Sequence, residues 1–172
     1  INDFSIQAAD IDERALDKEL PPAYALRIAK KKAEKVSKQN ENSFVLAADT
    51  VVACGRRILP KAETEAEANS CLNLLSGRRH KVLGAVVIYS PNGTQIYRVV
   101  KSVVTFKKLT QEEINFYLKT REWEGKAGGY AIQGLAATYI RALNGSYSNV
   151  VGLPLYETYQ MLKGMGFKYK VP

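Results

Sequence analysis

The chain has 172 residues, 46% hydrophobic and 24% charged, with a formal net charge of +8. That balance fits one globular domain with a real core and excludes disorder over most of the length. No apolar run reaches the roughly 18–20 residues that span a bilayer, so no membrane partner is expected, while the basic surface favours anionic ligands.

The first residues, Ile1 to Glu13, lack the basic-then-apolar pattern of a secretory signal. Pro21 to Gln39 is predicted as a helix, with Pro22 near its start and Tyr24, Ile28, Ala29, Lys32 and Ala33 at helical spacing. Its many lysines read mostly as a solvated face. Phe44 to Ala53, apolar and β-branched, is predicted as a buried central strand. Glu63 to Leu75 is a helix opened by a Thr64/Glu67 capping box and stopped at Ser76-Gly77. Val82 to Tyr89, the turn Ser90-Pro91-Asn92-Gly93 and Thr94 to Phe106 make a hairpin. A second capping box, Thr110/Glu113, opens a helix to Lys119. Glu122 to Gly134 is irregular, Ala136 to Leu143 a strand, and Pro154 to Leu162 leads into a closing helix. The order implies an α/β fold with a mixed central sheet flanked by helices. Cys54 and Cys71 form no metal-binding pair. Both read as buried reduced thiols, and a cytoplasmic location is expected.

Asp49 is the first candidate for chemistry. A carboxylate within a buried strand must be paired, hydrogen-bonded or metal-bound. It is expected at the strand's carboxyl end, where open α/β sheets bind ligands; a structural Asp capping a loop is the alternative. In the acidic cluster Asp10, Asp12 and Glu13, Glu13 could supply an oxygen ligand to a divalent cation, or the cluster is ordinary surface. Lys61, the Gly77-Arg78-Arg79-His80 stretch and Lys126, which opens K-A-G-G-Y-A-I-Q-G, place basic groups in three loops. With their glycines, these loops have the parts of a polyphosphate cradle, though lone loop lysines are commonly just solvated. Gln133 could read a base edge and Tyr130 could stack on a base, or both tie down the loop. His80, the only histidine, has no G-x-S-x-G serine to serve, and no Walker A motif occurs. No helix-turn-helix, zinc-finger or RNP pattern supports nucleic-acid binding.

Six tracts in order carry a resemblance over nearly the whole chain: Asp12-Glu13, R-I-A-x-x-K-A at Arg27 to Ala33, A-D-T-V-V at Ala48 to Val52, L-S-G-R-x-H at Leu75 to His80, K-A-G-G-Y-A-I-Q-G at Lys126 to Gly134, and G-S-Y-S-N-V-V-G-L-P-L at Gly145 to Leu155. Together they resemble the Maf family of nucleoside triphosphate pyrophosphatases. The resemblance implies one domain over residues 1–172, with two lobes around a deep cleft as in the inosine triphosphate pyrophosphatases. It implies hydrolysis of a nucleoside triphosphate to the monophosphate and pyrophosphate with a divalent cation, Mg²⁺ or else Mn²⁺. In the family the residue at Asp49 is the proton acceptor, with Asp49 and Glu13 near the metal. Residues at Glu13, Lys32, Lys61 and Lys126 line the phosphate region, and those at Thr50 and Gln133 bear on substrate choice. Ile-Gln, where the 7-methyl-GTP branch has Ser-Glu, resembles the dTTP/UTP branch, implying a housecleaning activity that extends to modified pyrimidine triphosphates. A homodimer is compatible with the resemblance. The alternative is a non-catalytic nucleotide-binding regulator of cell division and septum formation.

The chain departs from the family pattern twice. The family's opening strand and S-x-S-P-R-R phosphate loop are expected upstream of Ile1. The family's G-K-P reads Pro60-Lys61-Ala62, which keeps the lysine.

Overall fold

Why the chain folds as it does is clearest at its long central hairpin. In the computed structural model, which describes residues 4–169, β3 (Arg79–Tyr89) and β4 (Gln95–Phe106) pair antiparallel from Arg79↔Thr105 to Tyr89↔Gln95. Gly93 at φ 81° closes the turn between them. On the other side β3 pairs with β1 (Val45–Cys54) along nearly its whole length. β1 turns at Gly55, φ 63°, into β2 (Arg57–Leu59), and β5 (Ile140–Asn144) closes the far side. The order is β2-β1-β3-β4-β5.

Two details of the sheet correct the sequence reading. Among the described residues all four ladders are antiparallel, so the sheet is not mixed. The strand expected over Ala136 to Leu143 begins only at Ile140; Leu135–Tyr139 is a 3₁₀ turn. The Leu135 N–H is taken by Glu122 Oε2 at 2.7 Å rather than by a strand neighbour.

Strand side chains alternate between faces, and the two faces of β1 and β3 bury different partners. Val51, Leu83, Ala85 and Val87 meet α1 (Pro21–Ser37) through its alanines Ala25, Ala29 and Ala33. These repeat every four residues, and their small side chains let the helix lie close to the sheet. On the other face Val52, Val82 and Val104 pack with α2 (Glu65–Leu75) and α3 (Gln111–Thr120), while Val86 and Ile88 pack against α5 (Leu155–Gly164). Both expected capping boxes form. Between these two clusters Gly84 faces Asn149 of the short helix α4 (Tyr147–Val151), whose Oδ1 would lie 2.0 Å from any Cβ at residue 84. No described helix is long and apolar enough to cross a membrane.

His80 belongs to the core. It is 2% exposed, its Nε2 lies 2.8 Å from Tyr130 Oη, and its ring meets those of Phe106 and Tyr130 edge-on. Burial holds its pKa down to about 4, from 6.5. The folded protein therefore keeps His80 neutral over a window in which the unfolded chain takes up a proton. Stability is intact above about pH 6.5 and is lost as pH falls toward 4, by up to about 3 kcal/mol. Urea unfolding of the wild type and His80→Gln, followed from about pH 7.5 to 4.5, should show the wild type losing about 2 kcal/mol more than the variant. Parallel losses would contradict this.

Candidate active site

Asp49 lies in the middle of β1, paired in register with Ala85, rather than at the strand's carboxyl end. The ladder to β3 continues past it to Ala53, which is why the strand does not stop there. Access comes from the side instead. β2 covers only Val52 to Cys54, so among the described residues β1 has no strand neighbour on that edge from residue 45 to residue 51. A cavity of about 320 Å³ wraps this edge. It reaches Lys32 and Asp49 on the α1 face and Val82, Tyr130 and Ile132 on the other.

The close seat of α1 brings Lys32 to the Asp49 carboxylate. Lys32 Nζ donates to Asp49 Oδ1 at 2.8 Å and lies 2.9 Å from Glu13 Oε1; Glu13 Oε2 in turn accepts from Lys61 Nζ at 3.0 Å. Acid and base thus alternate: Asp49, Lys32, Glu13, Lys61. Asp49 is the most deeply buried of the four, at 5% side-chain exposure. Burial pushes its pKa above the usual aspartate value, against the pull of Lys32. Burial works to lower Lys32, but its two carboxylate partners outweigh that and raise it. Glu13 feels burial upward, and the two ammonium groups bring it down below the ordinary range.

Lys61 and Lys126 are brought together by backbone. Lys61 bridges Ala127 in antiparallel fashion, Ala62 N–H donates to Lys126 O at 3.1 Å, and Gly128 N–H donates to Pro60 O at 2.9 Å. Gly128 is required there. Its φ is 71°, and a Cβ would come within 2.8 Å of Val52 Cγ1. Lys126 and Gln133 are exposed and line the cavity. Thr50 also lines it, with its hydroxyl donating to Gly152 O at 3.2 Å. Cavity and ion chain thus bring together Glu13, Lys32, Asp49, Thr50, Lys61, Lys126 and Gln133.

Other expectations are corrected. Tyr130 is 5% exposed, with its hydroxyl on His80 and its ring on Phe106, so it is packed and has no free face for a base to stack on. Arg78 and Arg79 are exposed and line no part of the cavity, because β3 starts at Arg79 and carries them away. The larger cavity, about 720 Å³ near the β3–β4 turn and α5, has only Arg98 and Glu157 as charged lining groups.

Sequence reasoning missed the role of Asn149. It is fully buried, and its Nδ2 donates to Val82 O at 3.2 Å and Ser102 Oγ at 3.0 Å. Ser102 also binds the backbone of Ser146. The Gly145 to Leu155 motif is therefore a buttress that holds Gly152 against Thr50. The signal was Asn149 itself, an amide directly before the apolar Val150-Val151.

The oxygen donors of Glu13 and Asp49 suit a hard divalent cation. Asp49 Oδ1 takes Lys32, and no hydrogen bond to Oδ2 is seen among the described residues. No group of three or more His, Cys, Asp or Glu stands together among them. The set fits a cation completed by substrate oxygens rather than one in an all-protein cage.

Residues 1–165 match the profile of the family described as Maf-like protein. The chain is 56% identical over 162 residues to the dTTP/UTP pyrophosphatase of Paramagnetospirillum magneticum, covering 94% of this chain and 85% of that protein. It is 53% identical over 163 residues to the dTTP/UTP pyrophosphatase of Caulobacter vibrioides, covering 95% and 84%. It is 53% identical over 157 residues to the nucleoside triphosphate pyrophosphatase of Ehrlichia canis, covering 91% and 82%.

Removing Lys32 strands a buried carboxylate. Lys32→Met should lower the unfolding free energy by about 2 kcal/mol at neutral pH, and adding Asp49→Asn should restore most of it. Urea denaturation of both variants measures this; a double variant no more stable than Lys32→Met would refute the pairing as the cause.

Proposed function

The chain belongs to the Maf family, and from that premise we propose that it is a nucleoside triphosphate pyrophosphatase acting on dTTP and UTP. The observation that carries this reading is the alternating chain Asp49–Lys32–Glu13–Lys61, which meets a cavity that also presents Lys126 and Gln133. Three lysines around one small cavity suit the charge of a triphosphate. The names of the relatives supply the pyrimidine preference.

In this reading Lys32 and Lys61 exchange carboxylate oxygens for phosphate oxygens when substrate arrives, and Lys126 adds a third positive charge. Water attacks the α-phosphorus; the bond from that phosphorus to the bridging oxygen breaks, and pyrophosphate leaves with the electron pair. Asp49 accepts the proton of the attacking water. Its raised pKa makes it a better base near neutral pH than an exposed aspartate. A divalent cation, Mg²⁺ or Mn²⁺, held by Glu13, Asp49 and the phosphates, would neutralise charge and acidify water.

Gln133, exposed and with no hydrogen bond to the rest of the described protein, is the group best placed to pair with the base, since its amide offers both a donor and an acceptor. Thr50, with its hydroxyl engaged by Gly152, acts on specificity by shaping the wall. A reducing cytoplasm suits the two unpaired cysteines.

Pyrophosphate release with Mg²⁺, screened across canonical and modified triphosphates, tests the reading. Turnover of UTP and dTTP is expected above that of purine triphosphates. Nucleotide binding with no release would favour a regulator instead. Asp49→Asn should cut turnover by at least about two orders of magnitude; near-normal turnover would remove Asp49 from its role. In the wild type the rate should fall as pH drops through the pKa of Asp49, an acid limb above the ordinary aspartate value of 3.8.

A further inference from the structure

Residues 4–20 form neither helix nor strand, yet hydrogen bonds tie them at several points to α1 and the turn that follows it. Asn40 Nδ2 donates to Gln7 Oε1 at 2.9 Å, and Lys35 Nζ to Asp10 O at 2.6 Å. Tyr24 Oη donates to Glu13 O at 2.7 Å. Arg27 reaches Arg14 O at 3.0 Å and grips both oxygens of Glu19 at 2.7 Å. Asp10 and Lys18 have φ values of 42° and 56°, in a region that residues with side chains seldom occupy. Such backbone persists only where its contacts over-determine it. Along this strap, Glu13 alone puts its side chain into the ion chain, between Lys32 and Lys61.

Tyr24 is the contact nearest that carboxylate. Its ring packs against the alanine cluster under α1, and the Arg27 guanidinium lies 5.5 Å from the ring centre. The ring is thus gripped by the core on one side and by Arg27 on another, which fixes its hydroxyl. The backbone of Glu13 is held by a rigid group that does not itself line the cavity.

We propose that Tyr24 is a positioning residue, whose phenol holds the Glu13 carbonyl so that the Glu13 carboxylate sets Lys32 and Lys61 for the triphosphate. This rests on the reading of Glu13, Lys32 and Lys61 as phosphate-site groups. Arg27 supports it by clamping the strap immediately beyond Glu13. The loss of the phenol therefore acts on substrate binding through Glu13.

Tyr24→Phe, Glu13→Gln and the double variant, assayed for pyrophosphate release from UTP with Mg²⁺, test this. Tyr24→Phe keeps the ring and removes only the hydrogen bond; thermal unfolding checks that the fold survives. It should lower kcat/KM roughly five- to tenfold, mainly as a rise in KM. In the Glu13→Gln background the same change should cost less than about twofold. Equal losses in both backgrounds, or a fall in kcat with KM unchanged, would overturn the positioning role alone. A Glu13→Gln enzyme with unaltered kinetics would overturn the reading of Glu13, and the positioning role with it.

Discussion

The ion pair between Asp49 and Lys32 is the constraint from which the rest of the site follows. A carboxylate only 5% exposed in the middle of a sheet strand keeps little contact with water, so an ammonium must come to it. The ammonium stands on α1, on the face that packs against the sheet, and it reaches only because that face is built of alanine. Glu13 is drawn in as the second partner of Lys32, and Lys61 as the second partner of Glu13. Two acids and two bases thus stand in sequence, with no net charge. Each charge in the arrangement has a partner within the protein itself.

The glycine-rich loop answers a different requirement. It must lie flat on β1 to bring Lys126 beside Lys61, and Val52 leaves no space for a side chain at Gly128. Next to it Gly129 sits against Ala68 and Cys71 of α2. Neither glycine supplies chemistry by itself; each permits a close approach. Tyr130, between this approach and Gln133, anchors the loop in the core through His80. The loop thus has a fixed half, ending at Tyr130 and Ile132, and an exposed tip at Gln133.

Much of the fold could be read from local signals. Both capping boxes formed and the Ser90 to Gly93 turn closed its hairpin, while the Phe44 to Ala53 run is a strand but not the central one expected: β3 holds the centre, and β1 is only partly buried and open along one edge from residue 45 to residue 51. The elements missed were short. Arg57–Leu59 is three residues long and α4 is five, too brief for any periodicity to register. The position of Asp49 within its strand was misjudged because a polar residue in an apolar run suggests an end. Here the run is open along its side. Among the site residues, Asp49 stood out through its own chemistry, and Lys61, Lys126 and Gln133 through their loops. Lys32 did not, being one lysine among several on a basic helix, and only the resemblance marked it. Tyr24 shows in the sequence only as a position at helical spacing, because a single hydrogen bond to a distant carbonyl leaves no trace in local sequence.

The alanines of α1 carry a consequence beyond packing. Ala25, Ala29 and Ala33 set the separation between helix and strand, and that separation is the reach that Lys32 must span. They work as a gauge block: a methyl's thickness in the core is transferred to an ammonium's placement at the cavity. Residues that no ligand will ever touch thus calibrate the site, and a change chosen to improve the core of this helix would also detune it.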